Sequence, residues 1–140
     1  MPGESWKLSA IWEVLAIEFF QHKGQLLANE MAPPVHNSGH WTIEGAETSQ
    51  FENHLRAVAG LPLGSTASVG HSAMLNLIGA TPAREAILAV PGAHLHLYEK
   101  APHPGRKLGH VTVRSPDMEG LQTLLADFRA RPELAALLPQ

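Results

Sequence analysis

The chain has no cysteine among its 140 residues, which removes disulfides, thiolate nucleophiles and sulfur-ligated metals or clusters. Any metal it holds must bind through oxygen or imidazole. Positive charge is also scarce: ten Lys and Arg against thirteen Asp and Glu give a formal net charge of −3. A nucleic-acid backbone is neutralised by clustered cations, so nucleic acid is not an expected partner. No apolar run approaches the roughly 20 residues of a bilayer crossing. The opening Met1-Pro2-Gly3-Glu4 lacks a basic n-region and Glu13 interrupts the one candidate apolar stretch, so no secretory signal is read. A cytoplasmic location with no membrane partner is expected. What is present, 44% hydrophobic and 16% charged residues, is a globular composition at the size of one small domain, too short for a two-lobed enzyme. Nine histidines are many for this length and raise the question of imidazole chemistry.

Residues 14–20 (VLAIEFF) and 25–31 (QLLANEM) are largely apolar and each reads as a buried strand. The short polar link containing Gly24 joins them as a β-hairpin. Residues 33–45 have no strand or helix period and read as a loop, long enough to point to function. Ser49 stands three residues before Glu52 as a capping box, Phe51, Leu55 and Val58 form one stripe, and Gly60 and Pro62 supply a stop, which predicts a helix over 49–59. Next come a strand at 73–78, a short helix at 82–88 capped by Thr81 with Pro82 in its first turn, and a strand at 93–98. A turn at 102–105 leads to a return strand at 108–113. Ser115 and Pro116 start a helix whose buried face is Met118, Leu121, Leu125 and Phe128. The last ten residues, 131–140, hold two prolines and read as a tail.

Glu18 and Glu30 interrupt otherwise apolar strands, where a charge is costly unless compensated. With the turn centred near Gly24, the two face one another on one side of the hairpin, about 5 Å apart for a directly opposed pair. Carboxylates so close repel, and a hard divalent cation such as Mg²⁺, which takes one or two carboxylates plus phosphate oxygens and water, relieves the repulsion. Asn29 points to the other face of an ideal strand, and a bulge would bring its amide round. Two alternatives stand beside this: both glutamates on a wet sheet surface, or a one-residue slip that separates them.

His36-Asn37-Ser38-Gly39-His40-Trp41 gathers donors for a small anion or a transferring phosphoryl group, with Gly39 allowing close backbone approach. A surface loop with Asx-type turns has the same composition. His94 and His96 alternate on one strand and His110 lies on the return strand, so three imidazoles could meet in a zinc-like site. The alternative is the wet face of a half-buried sheet.

The runs VLAIEFF, LANEMAP (27–33), HNSGHWT (36–42), TSQFENHLRA (48–57), SAMLNLIG (72–79), HLHLYEK (94–100) and PGRKLGH (104–110), in this order and spacing, resemble the carboxy-terminal stretch of the 5-(carboxyamino)imidazole ribonucleotide synthase family over about residues 14–113. The resemblance implies an ATP-grasp ligase of de novo purine synthesis, using ATP with Mg²⁺, bicarbonate and aminoimidazole ribonucleotide. It implies Glu18 and Glu30 as metal ligands and His36 and Asn37 as catalytic residues that hold bicarbonate. Lys100, Arg106 and Lys107 would face the ribonucleotide and its phosphate, with Lys100 also counted as catalytic. Three cations flanking a Pro-Gly turn also suit a phosphate on physical grounds, beside the plain alternative of a solvated basic tip.

The expected fold is α+β: a β-hairpin remnant of the ATP-grasp lobe over 1–47, a small β-rich carboxy-terminal domain with short helices, of a rudimentary single-hybrid or β-sandwich-like type, over 48–130, and a tail over 131–140. Pro34 and His103 stand where the family usually has arginine, which weakens anion binding. Residues 1–13 show no glycine-rich phosphate loop or nucleotide-clamping lysine segment, so the chain by itself is expected to be inactive and not to bind ATP tightly. The resemblance is compatible with a homodimer or with pairing to an amino-terminal ATP-grasp chain. A non-catalytic interaction or regulatory module for such a partner is the alternative reading, followed by a His-based metal-binding domain.

Overall fold

A computed structural model describes residues 15–33 and 35–138, and they build two antiparallel sheets, one of two strands and one of three. Strands β1 (Ala16–His22) and β2 (Gln25–Ala32) form the hairpin. Its two-residue turn places both Lys23 (φ 49°) and Gly24 (φ 79°) in the left-handed region, the requirement of a turn whose twist matches its strands. That turn fixes the register. The strands are not buried as expected: both faces lie open, with Phe19, Phe20 and Leu27 exposed by 52%, 61% and 49%. Phe20 and Leu27 face one side and Ile17 and Met31 the other, so the apolar composition belongs to a sheet meant for covering on both faces.

Between the hairpin and α2 (Gln50–Val58) the chain is more regular than the predicted loop. It forms a 3-10 turn, Asn37–Gly39, and a single helical turn α1, Thr42–Gly45. Elements of three and four residues span about one hydrophobic period and leave no repeating pattern in sequence. Helix α2 starts as predicted, with Ser49 accepting a hydrogen bond from the Glu52 amide at 3.1 Å.

The second sheet comprises β3 (His71–Ile78), β4 (Ala93–Leu97) and β5 (Lys107–Ser115), ordered β3-β5-β4. One face is apolar. Leu75, Leu77, Val111 and Val113 pack against Leu121 and Phe128 of α4 (Met118–Ala130) and against Ile87 of α3 (Arg84–Leu88). Helix α4 starts later than Ser115, because the Asp117 carboxylate accepts from the Gly120 amide at 2.7 Å. Met118 is therefore 50% exposed and does not join the buried face. Ala83 is extended (ψ 133°), so α3 begins at Arg84 without a Thr81 cap. The predicted tail is also corrected over 131–138. It turns into α5 (Pro132–Ala135) and places Leu134 (0% exposed) and Leu138 (8%) in the core; Pro132 is the first residue of that helix, where its missing N–H costs nothing.

The opposite face of this sheet is polar but not wet. Along it, His110 pairs with Asn76 on one side and His96 on the other, and Met74, Thr112 and His94 make the next rung. His110 is 1% exposed and Thr112 fully buried, because the segment 36–46 lies across them.

Candidate functional site

The hairpin register opposes Glu18 to Glu30 and Phe19 to Ala28, leaving Asn29 as an extra residue. This bulge turns Asn29 back onto the glutamate face, where its Nδ2 donates to Glu18 Oε2 at 3.4 Å. His36 then reaches the pair from the segment that follows: Nδ1 lies 3.3 Å from Glu18 Oε1 and Nε2 lies 3.7 Å from Glu30 Oε2. Two carboxylates, an imidazole and a carboxamide thus converge at the mouth of an open sheet. The donor set, rich in carboxylate and carboxamide oxygen, fits a hard divalent cation, since facing carboxylates on adjacent strands otherwise repel.

His36 is held there by a residue that sequence inspection assigned no role. Gln50, first in α2, accepts from the His36 amide at 3.1 Å and donates to the His36 carbonyl at 2.8 Å. The carboxamide thereby grips His36 at both backbone groups. Its Nε2 also sits 3.0 Å from His40 Nδ1. Next to His36, Asn37 Oδ1 accepts from Lys107 Nζ at 2.9 Å, across seventy positions of sequence.

The remaining two cations do not join that contact. Lys100 Nζ lies over the Tyr98 ring, 5.4 Å from its centroid, and Arg106 Nη1 donates to the Ala101 carbonyl at 3.4 Å. Both side chains stay on their own connection. That connection closes through the Arg106 amide on the His103 carbonyl at 3.0 Å, with Pro104 next and Gly105 at φ 75°, the pattern of a type II turn. Pro34 lies outside the described residues.

A second polar cluster sits between α1 and the covered sheet face. His96 Nε2 and Glu44 Oε1 are 2.6 Å apart, His96 and His110 stack at 4.6 Å between ring centroids, and the Tyr98 hydroxyl meets His110 Nδ1 at 2.7 Å. His40 packs edge-on against His110 and Phe51. Burial pushes the His110 imidazole down to about 4, with His96 and His40 acting in the same direction and Glu44 opposing. Burial likewise lowers His40 and raises the Tyr98 phenol. His94 is not part of the cluster: it is exposed and pairs one rung away with Thr112. Its place is taken by Glu44, whose position 52 residues before His96 no strand alternation could have revealed.

The hairpin with its acidic rung and the small antiparallel sheet are each matched by a family model. Residues 9–51 match the ATP-grasp domain and residues 72–123 match the phosphoribosylaminoimidazole carboxylase C-terminal domain. The N5-carboxyaminoimidazole ribonucleotide synthase of Pseudomonas aeruginosa is 65% identical over 117 residues, covering 84% of this chain and 32% of that protein. The crystal structure of N5-carboxyaminoimidazole ribonucleotide synthetase from Thermus thermophilus is similar at TM-score 0.81 and 61% identity, covering 91% of this chain and 34% of that one. The Aspergillus clavatus enzyme, solved with ADP and 5-aminoimidazole ribonucleotide, aligns at TM-score 0.75 and 42% identity over 85% of this chain and 35% of its own. The chain is a homologue of the N5-carboxyaminoimidazole ribonucleotide synthases and spans about a third of the length of the curated relatives it matches.

Proposed function

We propose that the chain is the carboxy-terminal portion of an ATP-dependent N5-carboxyaminoimidazole ribonucleotide synthase of purine biosynthesis, and that it is inactive by itself. The observation that carries this reading is the in-register Glu18 and Glu30 pair with His36 facing both carboxylates. In the proposal Glu18 and Glu30 hold Mg²⁺, which when bound neutralises the phosphate oxygens of ATP. His36 and Asn37 receive bicarbonate, and the contact from Lys107 to Asn37 brings the basic connection next to that anion. Lys100, Arg106 and Lys107 take the ribonucleotide phosphate. For Lys100 and Arg106 this requires release from Tyr98 and Ala101, both weak contacts on an exposed surface.

The proposed domain division follows the two sheets: the hairpin and anion loop over 1–47 finish an ATP-grasp lobe, and a small α+β unit follows. An ATP site of this kind is made by two lobes closing on the nucleotide, and one hairpin supplies ligands without a pocket. Isothermal titration of the 140-residue chain with Mg-ATP is expected to show no binding; micromolar affinity would contradict the inactive-alone reading. Mixed with the upstream two thirds of a relative, the chain is expected to restore phosphate release dependent on aminoimidazole ribonucleotide. Glu18→Gln and Glu30→Gln should each abolish it, and activity surviving both would sink the metal assignment. In the restored enzyme Pro34→Arg should lower the KM for bicarbonate; an unchanged KM would remove Pro34 as the cause of weak anion binding.

One observation favours a second reading, a non-catalytic module that pairs with an ATP-grasp chain. The hairpin is apolar and open on both faces, and two-stranded sheets are marginal by themselves. Tight pairing with the upstream portion but no restored turnover would select it.

A further inference from the structure

We propose that Glu44, His96 and His110 form a second metal site, for a zinc-class divalent ion, between α1 and the polar face of the three-stranded sheet. One oxygen or nitrogen from each of the three lies within 4.8 Å of the others. A transition ion accepts this set of two imidazoles and one carboxylate, whereas Mg²⁺ and Ca²⁺ take oxygen. The hairpin cluster has the opposite balance, two carboxylates to one imidazole.

The independent observation is the state of the buried atoms. His110 is 1% exposed, and its Nε2 has no hydrogen-bond partner. Glu44 Oε2 is equally buried and equally unpartnered. Buried polar atoms left unpaired are costly, so two of them in one small space, beside a third donor, indicate a group that satisfies both. Thr112 Oγ1 and Asn76 Oδ1 on the same sheet face are also unpartnered, so the layer as a whole is short of partners.

The ring of His110 is already set for coordination. Its Nδ1 is engaged by the Tyr98 hydroxyl at 2.7 Å, which leaves Nε2 as the free nitrogen, the outer hydrogen bond that metal-bound histidines generally make. His96 stacks on His110 with the ring planes 14° apart, so both lie on the same side of the sheet, and an ion shared by them requires the partly exposed His96 ring to rotate out of the stack while His110 stays in place. Access is through His96, whose side chain is 33% exposed against 9% for Glu44. An ion there displaces the hydrogen bond between His96 and Glu44 and gains His110 Nε2, with water in the remaining position.

The test uses the full chain stripped with a chelator. Calorimetric titration with Zn²⁺ is expected to give one site that excess Mg²⁺ does not compete for, and Co²⁺ to give visible absorption with the intensity of a four-coordinate site. His96→Gln and Glu44→Gln should remove both signals while leaving the circular dichroism unchanged, His96 being the safer variant because it is partly exposed. Tyr98→Phe should weaken binding by about tenfold to a hundredfold. Glu30→Gln, on the hairpin, should leave the signals intact. Absence of a one-to-one Zn²⁺ site would overturn the proposal, with water filling the layer instead. So would binding that survives His96→Gln and Glu44→Gln, or that is lost with Glu30→Gln.

Discussion

Acidification should destabilise this chain through His110, and the size of the effect follows from burial. Folded, the imidazole is held at about 4 against an ordinary value of 6.5. The unfolded chain therefore binds this proton more readily, and stability is complete above the unfolded value and lost as pH falls from 6.5 toward 4. At about pH 5 the unfolded imidazole is protonated roughly thirty times out of thirty-one and the folded one about one time in eleven. The ratio of the two binding polynomials, about thirty, is about 2 kcal/mol of lost stability, rising to about 3 kcal/mol near pH 4. His96 on β4, His40 ahead of α1, Glu44 of α1 and Tyr98 after β4 all face this ring, so a bare pH profile mixes several groups. His110→Gln isolates the one in question. Urea unfolding followed by far-ultraviolet circular dichroism, with chelator present, is to be run on both proteins at about pH 7.5 and about pH 5. Wild type should lose about 2 kcal/mol more than the variant over that interval. Parallel losses in the two proteins would refute the reasoning, because His110 would then carry no proton-linked stability.

Leu134→Ala should lower stability by about 2–5 kcal/mol, the cost of a cavity at a fully buried leucine; a loss under about 0.5 kcal/mol in urea denaturation would mean that α5 does not dock. Gly45→Ala should cost about 1–3 kcal/mol by overpacking and shift the fluorescence of Trp41, since an added methyl meets the Ser72 hydroxyl and the Trp41 ring. Unchanged stability there would show that α1 sits further from β3. Gln50→Ala removes both grips on His36, so the His36 amide should exchange with solvent faster and stability fall by about 1–2 kcal/mol; unaltered exchange at His36 would exclude the clamp.

Local signals fared best in reading this sequence. A turn residue at Gly24 set the hairpin register, and with it the opposition of Glu18 and Glu30. Ser49 marked the start of α2, and the strands expected near 73–78, 93–98 and 108–113 are present as β3, β4 and β5. Burial was less legible. The hairpin's apolar residues look like core in sequence and stand exposed in the structure, because composition registers that a strand is made to be covered, not which residues cover it. The reverse holds for His110 and Thr112, polar residues that alternation assigns to a wet face and that segment 36–46 buries. Glu44 and Gln50 were invisible because their partners lie far along the chain. Two prolines disguised α5 as a tail, although Pro132 opens that helix.

Segment 36–46 connects the two polar clusters, and its short elements explain how. His36 and Asn37 point toward the hairpin glutamates and Lys107, whereas His40 and Glu44, four and eight residues on, turn toward His110 and His96. The 3-10 turn and the single turn of α1 supply this change of direction within ten residues. Gln50 touches His36 and His40 with one carboxamide, so the two directions cannot vary independently. A displacement of α1 by an ion between Glu44 and His96 would reach His36 through Gln50 and through the contact of His40 Nδ1 with the His36 carbonyl at 2.9 Å, and a cation on the hairpin would act on the sheet cluster by the same routes. Gln50 carries two of these contacts, so in Gln50→Ala any influence of Zn²⁺ on Mn²⁺ binding at Glu18 and Glu30 should weaken, while coupling of unchanged size would place the connection in the His40 contact and the backbone of the segment.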